Sequence, residues 1–169
     1  DDDVPSVTGR LPTCQKDVEA LKIPSINAGR VPEYLMANSL SAAAISDKPV
    51  LSGCIGPFSL AGRLYGMTEI MMALYIEPQA IKLLLDKCAA FITCYIKALK
   101  SCGTNGVIMA EPAAGLLSPK DCQVYSSDYI RPIVKAVQDK NFAVMLHNCG
   151  NTGHCTASMV TTGAMAYHF

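Results

Sequence analysis

The amino-acid sequence predicts an α/β fold of about four parallel strands with outer helices. Short apolar segments of strand length alternate with segments of helical periodicity, an order typical of a parallel sheet with helical crossovers. The segment 106–110 is continuously apolar, as expected for a strand buried on both faces. The last predicted strand starts at 163–167 and runs to Phe169 with no helix to cover it, so we expect an incomplete sheet.

Residues 1–169 are interpreted as one partial domain in which 1–28 are irregular and punctuated by proline. The clearest helix starts at Pro78 and ends at Gly103, residue types that favour a first helical turn and a C-terminal cap. The other predicted helices lie around 16–21, 31–44 and 157–162, and one more starts at Pro119 with Ser118 as its N-cap and continues with helical spacing through 130–137. The other predicted strands are 50–52 and 142–146, the first of which ends in a Gly/Pro loop at 53–57.

The composition excludes several classes of protein. Hydrophobic residues make up 50% of the chain and charged residues 17%, which is too apolar for a disordered chain. The apolar runs are nevertheless shorter than the roughly 18 residues of a membrane-spanning helix. Lys plus Arg and Asp plus Glu number 14 each, so no basic field attracts nucleic acid or a membrane surface. The acidic start differs from the basic front of a signal peptide.

The chain contains eight cysteines, and three of them fall in or just after the long helix. A chain of this size folds without disulfide bonds, so we interpret about six of the eight cysteines as structural thiols in a reducing compartment. The cytoplasm is the predicted location. Met67, Met71 and Met72 are interpreted as helix core.

Reactive residue types follow three of the predicted strands, in the loops 53–58, 111–115 and 147–152. Chemistry in parallel α/β folds collects at the carboxyl ends of strands. His147 and Cys149 are two positions apart, so their side chains lie on the same side of the strand. Imidazole and thiolate are preferred zinc ligands, and an open zinc site takes three protein ligands.

The third ligand is left open by the sequence. Glu111 could supply an oxygen, a cysteine could come from elsewhere, or His154 and Cys155 could form a local site. The alternatives are structural. His147 could be a core histidine, Glu111 is as readily a helix cap or a lysine partner, and His154 is expected to face solvent.

Three segments, 52–62, 111–119 and 146–152, resemble the uroporphyrinogen decarboxylase superfamily in their order and spacing, over about residues 30–169. This superfamily includes the decarboxylase and the zinc-dependent methylcobamide:coenzyme M methyltransferases. The resemblance implies a (β/α)8 barrel of which this chain holds the middle portion, incomplete at both ends. It also implies that the chain self-associates or lacks a barrel half, and that it is inactive alone.

The methyltransferase branch accounts for His147 and Cys149 as zinc ligands, with Glu111 as a catalytic residue. There, zinc activates a small-molecule thiol that takes a methyl group from a corrinoid, which a partner protein could carry. Gly56, Pro57 and Phe58 would shape the mouth that receives the corrinoid or the thiol. Asn148 departs from the commonest apolar residue of the motif. The alternatives are uroporphyrinogen decarboxylation, with a tetrapyrrole substrate, and a barrel piece that binds metal or a partner without turnover.

Overall fold

The computed structural model of the protein describes residues 7–149 and 153–168, and its centre is a four-stranded parallel sheet. The order of the strands in the sheet is their order in the chain, and each strand is parallel to its neighbour. This confirms the predicted sheet of four parallel strands. The strands are β1 (Leu51–Ile55), β2 (Gly106–Ala110), β3 (Ala143–His147) and β4 (Ala166–His168).

Eight α-helices are described, and several begin or end at the residues that the sequence indicates. Ser118 accepts a hydrogen bond from the backbone N–H of Asp121 and caps the helix that starts at Pro119. Gly103 follows the long helix with a φ of +89°, which favours glycine. The helices are α1 (Gln15–Ala20), α2 (Val31–Ala44), α3 (Pro57–Tyr65), α4 (Met67–Ile76), α5 (Pro78–Ser101), α6 (Pro119–Cys122), α7 (Asp128–Val137) and α8 (Thr156–Val160).

The core lies between one face of the sheet and the helices α3, α5 and α7, of which α5 contacts both others. Alternate residues of the central strands supply the sheet side: Val107, Met109, Val144 and Leu146 are all buried. The apolar stripe of α5 supplies much of the helix side, and burying each such side chain stabilises the fold by about 1.5–3 kcal/mol.

The opposite face of the sheet is partly exposed, contrary to the prediction that β2 is buried on both faces. Side chains alternate along a strand, so Ile108 points away from the face that packs against α5, and it is 40% exposed. Ala166 and His168 of β4 are exposed as well. The helices of the described residues therefore cover one face, and the other presents side chains to its surroundings.

Three of the four predicted strands have boundaries that are wrong by one to three residues. β1 continues to Ile55, and its pairing with Ala110 places residues 53–55 in a strand where a loop is predicted. β3 covers Ala143–His147 where 142–146 is predicted, and β4 starts at Ala166, three residues after the predicted start. β1 and β3 extend past their apolar runs because the neighbouring strand continues the ladder, whereas pairing of β4 with β3 starts only at Ala166.

Some side chains also differ from the predicted burial. Cys14 and Cys94 are exposed, whereas Cys88, Cys122 and Cys155 are buried as expected. All eight cysteines are free thiols. The side chains of the predicted methionine core divide, since Met67 and Met71 pack against the core and Met72 is 53% exposed. Within the described ranges, no helix is both long enough and apolar enough to traverse a lipid bilayer.

Candidate metal site

The carboxyl ends of the four strands form one level row across the sheet. Register pairs Ile55 with Ala110, Ala110 with His147, and His147 with His168. The residues that follow these positions therefore lie along a single edge. Glu111 follows β2 and donates its backbone N–H to the carbonyl of His147 at 2.8 Å.

His147 lies between two other candidate ligands at this edge. Its Nε2 is 2.9 Å from Sγ of Cys149, and its Nδ1 is 2.7 Å from Nδ1 of His168. The two imidazole rings are 4.9 Å apart between centroids and tilted by 30°. Cys149 and His168 are exposed and His147 is partly buried. The side-by-side placement of His147 and Cys149 agrees with their spacing of two residues.

His168 is the one member of this cluster of His147, Cys149 and His168 that is not among the site residues predicted from the sequence. The predicted last strand starts at 163–167 and runs to Phe169, so it includes His168, but no role is predicted for this side chain. A signal was available, because parallel pairing of the last strand with the His147 strand would place the two histidines level with each other.

Glu111 is buried, with 1% of its surface exposed, and its carboxylate caps the start of α3. It accepts hydrogen bonds from the backbone N–H groups of Phe58 at 3.1 Å and Ser59 at 2.5 Å, where the helix dipole also favours an anion. Burial raises the pKa of this carboxyl to about 7, against the opposing effect of the hydrogen bonds from Ser59 and Phe58. The geometry matches the helix-cap alternative, and a catalytic role for Glu111 stays a prediction.

The predicted mouth residues Gly56, Pro57 and Phe58 form the junction between β1 and α3, and all three are buried. Gly56 leaves room for the Glu111 side chain, because a Cβ at this position would overlap Oε2 of Glu111. Burial of Phe58 is complete. These residues directly follow the end of β1, and their contact with a substrate stays a prediction.

Asn148, between the two candidate ligands, points the other way and is buried, with 1% exposure. Its backbone N–H donates to the carbonyl of His168 at 2.9 Å, whereas neither side-chain polar atom has a hydrogen-bond partner among the described residues. The rest of the predicted motif, residues 150–152, lies outside those residues.

The donor set fits part of a zinc site. His154 is exposed as expected, and its Nε2 contacts the carbonyl oxygen of Leu117 at 3.0 Å, while Cys155 is buried and donates to backbone carbonyls. The alternative local site is therefore not assembled. Within 7–149 and 153–168, no group of three His, Cys, Asp or Glu side chains has the arrangement of a metal site. His147 and Cys149 supply an imidazole and a thiol, the donor types that zinc prefers.

Comparison with known proteins decides the family. The family model described as uroporphyrinogen decarboxylase (URO-D) matches residues 1–169. The chain belongs to the uroporphyrinogen decarboxylase family. It is 32% identical over 162 residues to the methylcobamide:CoM methyltransferase MtbA of Methanosarcina acetivorans, covering 94% of the chain and 48% of that relative. It is 29% identical over 137 residues to the uroporphyrinogen decarboxylase of Vibrio vulnificus, covering 76% of the chain and 38% of that enzyme.

A solved structure described as a methyltransferase from Methanosarcina mazei superposes on this family member with a TM-score of 0.87 and 25% identity. The match covers 96% of the chain and 48% of the solved structure. It confirms the predicted partial barrel of parallel strands and outer helices. The chain spans about half the length of the methyltransferases it matches.

Proposed function

We propose that this chain supplies the β3 edge of a zinc-dependent methyltransferase site, where a methyl group passes from a corrinoid to a small-molecule thiol. The main support is the imidazole and thiol of His147 and Cys149, whose donor atoms lie 2.9 Å apart at an exposed strand end. Zinc at such a site lowers the pKa of a coordinated thiol and acts as a Lewis acid. The classes of donor and acceptor are inferred from the name of the methyltransferase relatives.

The neighbouring residues would shape and support this edge. Glu111 holds the start of α3, and with it Gly56–Phe58, against the end of β2. We propose that these residues form the base of the mouth for the thiol or the corrinoid, which a corrinoid protein could deliver. The pKa of Glu111, about 7, also suits proton transfer near neutral pH, so we retain a catalytic role for it as part of the proposal.

Uroporphyrinogen decarboxylation is the second candidate, supported by the similarity to the Vibrio enzyme. A tetrapyrrole with many carboxylates calls for arginines at the site. Arg10 donates to the carbonyl of Tyr65, and Arg131 donates to Thr161. Arg30 precedes α2, and Arg63 is exposed in the last turn of α3. None of the four arginines follows a strand, an observation that favours the methyltransferase proposal.

Metal content separates these candidates. We expect the purified full chain to bind zinc, and His147→Ala or Cys149→Ala to reduce the bound zinc measured by inductively coupled plasma mass spectrometry. His154→Ala and Cys94→Ala, which change an exposed histidine and an exposed cysteine elsewhere, are the matched controls. Unchanged zinc in both site variants would remove the site assignment. A metal-free protein that decarboxylates uroporphyrinogen would establish the second candidate instead.

We also propose that the exposed sheet face around Ile108 is covered by further barrel or by a second copy of this chain. The support is the 40% exposure of an isoleucine in a central strand. By itself the chain should self-associate and lack methyl transfer, and Ile108→Lys should shift its sedimentation toward the monomer. Turnover by this chain alone would contradict the need for a complementary half. A thiol-methylating longer protein would exclude a purely binding role.

The free state of all eight cysteines supports a cytoplasmic location.

A further inference from the structure

We propose that His168 is a positioning residue: it accepts a hydrogen bond from Nδ1–H of His147 and so presents the Nε2 lone pair of His147 beside Cys149. This inference rests on the proposed function, because it gives His168 a part in the same metal site. His168 belongs to β4, and its role is separate from those of His147 and Cys149.

The contacts of the His147 ring lead to this assignment. Each of its nitrogens has one side-chain neighbour, His168 at Nδ1 and Cys149 at Nε2. A neutral imidazole carries one donor and one acceptor. Two proton arrangements satisfy both contacts. In one, His147 donates from Nδ1 and accepts the thiol proton at Nε2; in the other, both directions are reversed.

The first arrangement is the one that prepares a metal ligand. It leaves a lone pair on Nε2, on the Cys149 side, and uses the other ring nitrogen as a hydrogen-bond donor. Histidines that bind metals generally donate their second N–H to an acceptor, which fixes both the tautomer and the orientation of the ring. Nδ1 of His168 is such an acceptor at 2.7 Å.

The sheet places this acceptor. His147 and His168 are register partners in the parallel pair β3–β4, and the N–H of Asn148 donates to the carbonyl of His168 at 2.9 Å. At the other end of the pair, the N–H of Met165 donates to the carbonyl of Val144. Backbone hydrogen bonds therefore hold the two histidines level, and the contact between their rings does not depend on a loop.

The same geometry distinguishes positioning from direct ligation. His168 contacts the nitrogen of His147 that Cys149 does not contact, so the two neighbours occupy different sides of the ring. An acceptor that acts through another residue can be replaced by a different acceptor, whereas a carboxamide is a poor substitute for an imidazole that binds zinc directly. Asparagine at position 168 offers an Oδ1 near the place of the imidazole Nδ1, and alanine offers no acceptor.

Zinc affinity of the full chain, measured by competition with a chromogenic chelator, tests the role. His168→Ala should weaken zinc binding by about 10- to 100-fold, the effect typical of removing such a hydrogen-bond partner. His168→Asn should recover most of that loss, and both variants should keep the cobalt–thiolate absorption band of a Co²⁺-loaded sample, since Cys149 remains. His154→Ala is the control. Wild-type affinity in His168→Ala would overturn the proposal, as would equal losses in the Ala and Asn variants.

A metal-free measurement separates this inference from the proposed function. Nitrogen-15 NMR of the His147 ring should show the proton on Nδ1 in the wild type and a shift toward Nε2 in His168→Ala. A wild-type ring protonated on Nε2 would overturn the positioning role even if zinc binds. If the wild type binds no zinc, the proposed function fails, and the tautomer result still decides whether His168 orients His147.

Discussion

Glu111 and His147 lie at neighbouring strand ends, yet the structure uses them differently. Glu111 follows β2 and is 1% exposed, with its carboxylate bonded to the first N–H groups of α3. His147 ends β3, and its ring contacts the exposed side chains of Cys149 and His168. A polar residue directed at a buried helix start becomes part of the fold. One directed at other exposed polar side chains remains available to a ligand.

The largest expected effect comes from removing the carboxylate of Glu111. In Glu111→Ala the two N–H groups of Phe58 and Ser59 lose their acceptor in a buried place, at about 1–3 kcal/mol each. We expect the free energy of unfolding of the metal-free chain, measured in urea, to fall by about 4 kcal/mol. Zinc affinity under folding conditions should stay within about twofold. A stable variant that no longer binds zinc would instead make Glu111 a ligand and end the contrast with His147.

The pH dependence of stability provides the next test. Burial raises the pKa of Glu111 from the unfolded value of 4.5 to about 7. Below pH 4.5 both states are protonated. Between pH 4.5 and 7 the unfolded state releases the proton that the folded state keeps, so this stabilisation is lost as the pH rises. Relative to Glu111→Gln, the wild type should lose roughly 3 kcal/mol from pH 4 to pH 8. A constant difference between the two proteins across that range would exclude the raised pKa.

Gly56→Ala tests the same contact from the other side. The new methyl group would overlap the Glu111 carboxylate, which backbone hydrogen bonds hold in place. Overpacking of this kind costs about 1–3 kcal/mol, and we expect about 2 kcal/mol in urea unfolding. Gly53→Ala is the matched control, since a Cβ there meets nothing within 4 Å among the described residues. Equal losses in both variants would show that the sensitivity belongs to β1 and not to Glu111.

Elements that local sequence patterns determine were predicted well, and elements that depend on strand pairing were not. The bounds of α2 and β2 agree with the predicted 31–44 and 106–110, because local periodicity and apolar runs determine them. The start of β4 depends on pairing with β3, so β4 begins at Ala166 and not at the predicted position 163.

Glu111 illustrates the same limit for the site. Its cap requires a helix that begins at Pro57, where the sequence analysis predicts a loop, although proline at a first helical position was an available signal. The pair of His147 and Cys149 was predictable because a spacing of two residues at a strand end favours a shared side without tertiary information, although β3 itself stops at His147.

The smallest expected effect on stability is that of His147→Ala, in contrast to the large effect expected for Glu111→Ala. The ring is only partly buried, and both of its side-chain partners are exposed and can bond to water. The free energy of unfolding of the metal-free chain should therefore change by no more than about 0.5 kcal/mol, a value typical of surface positions. With zinc present, the wild type should gain stability in proportion to its affinity and the variant should not. Thermal melts with and without zinc measure both terms. A large loss of stability in the absence of metal would make His147 a structural residue, as Glu111 is. A small loss of stability that grows only when zinc is added identifies a residue held in place for a ligand.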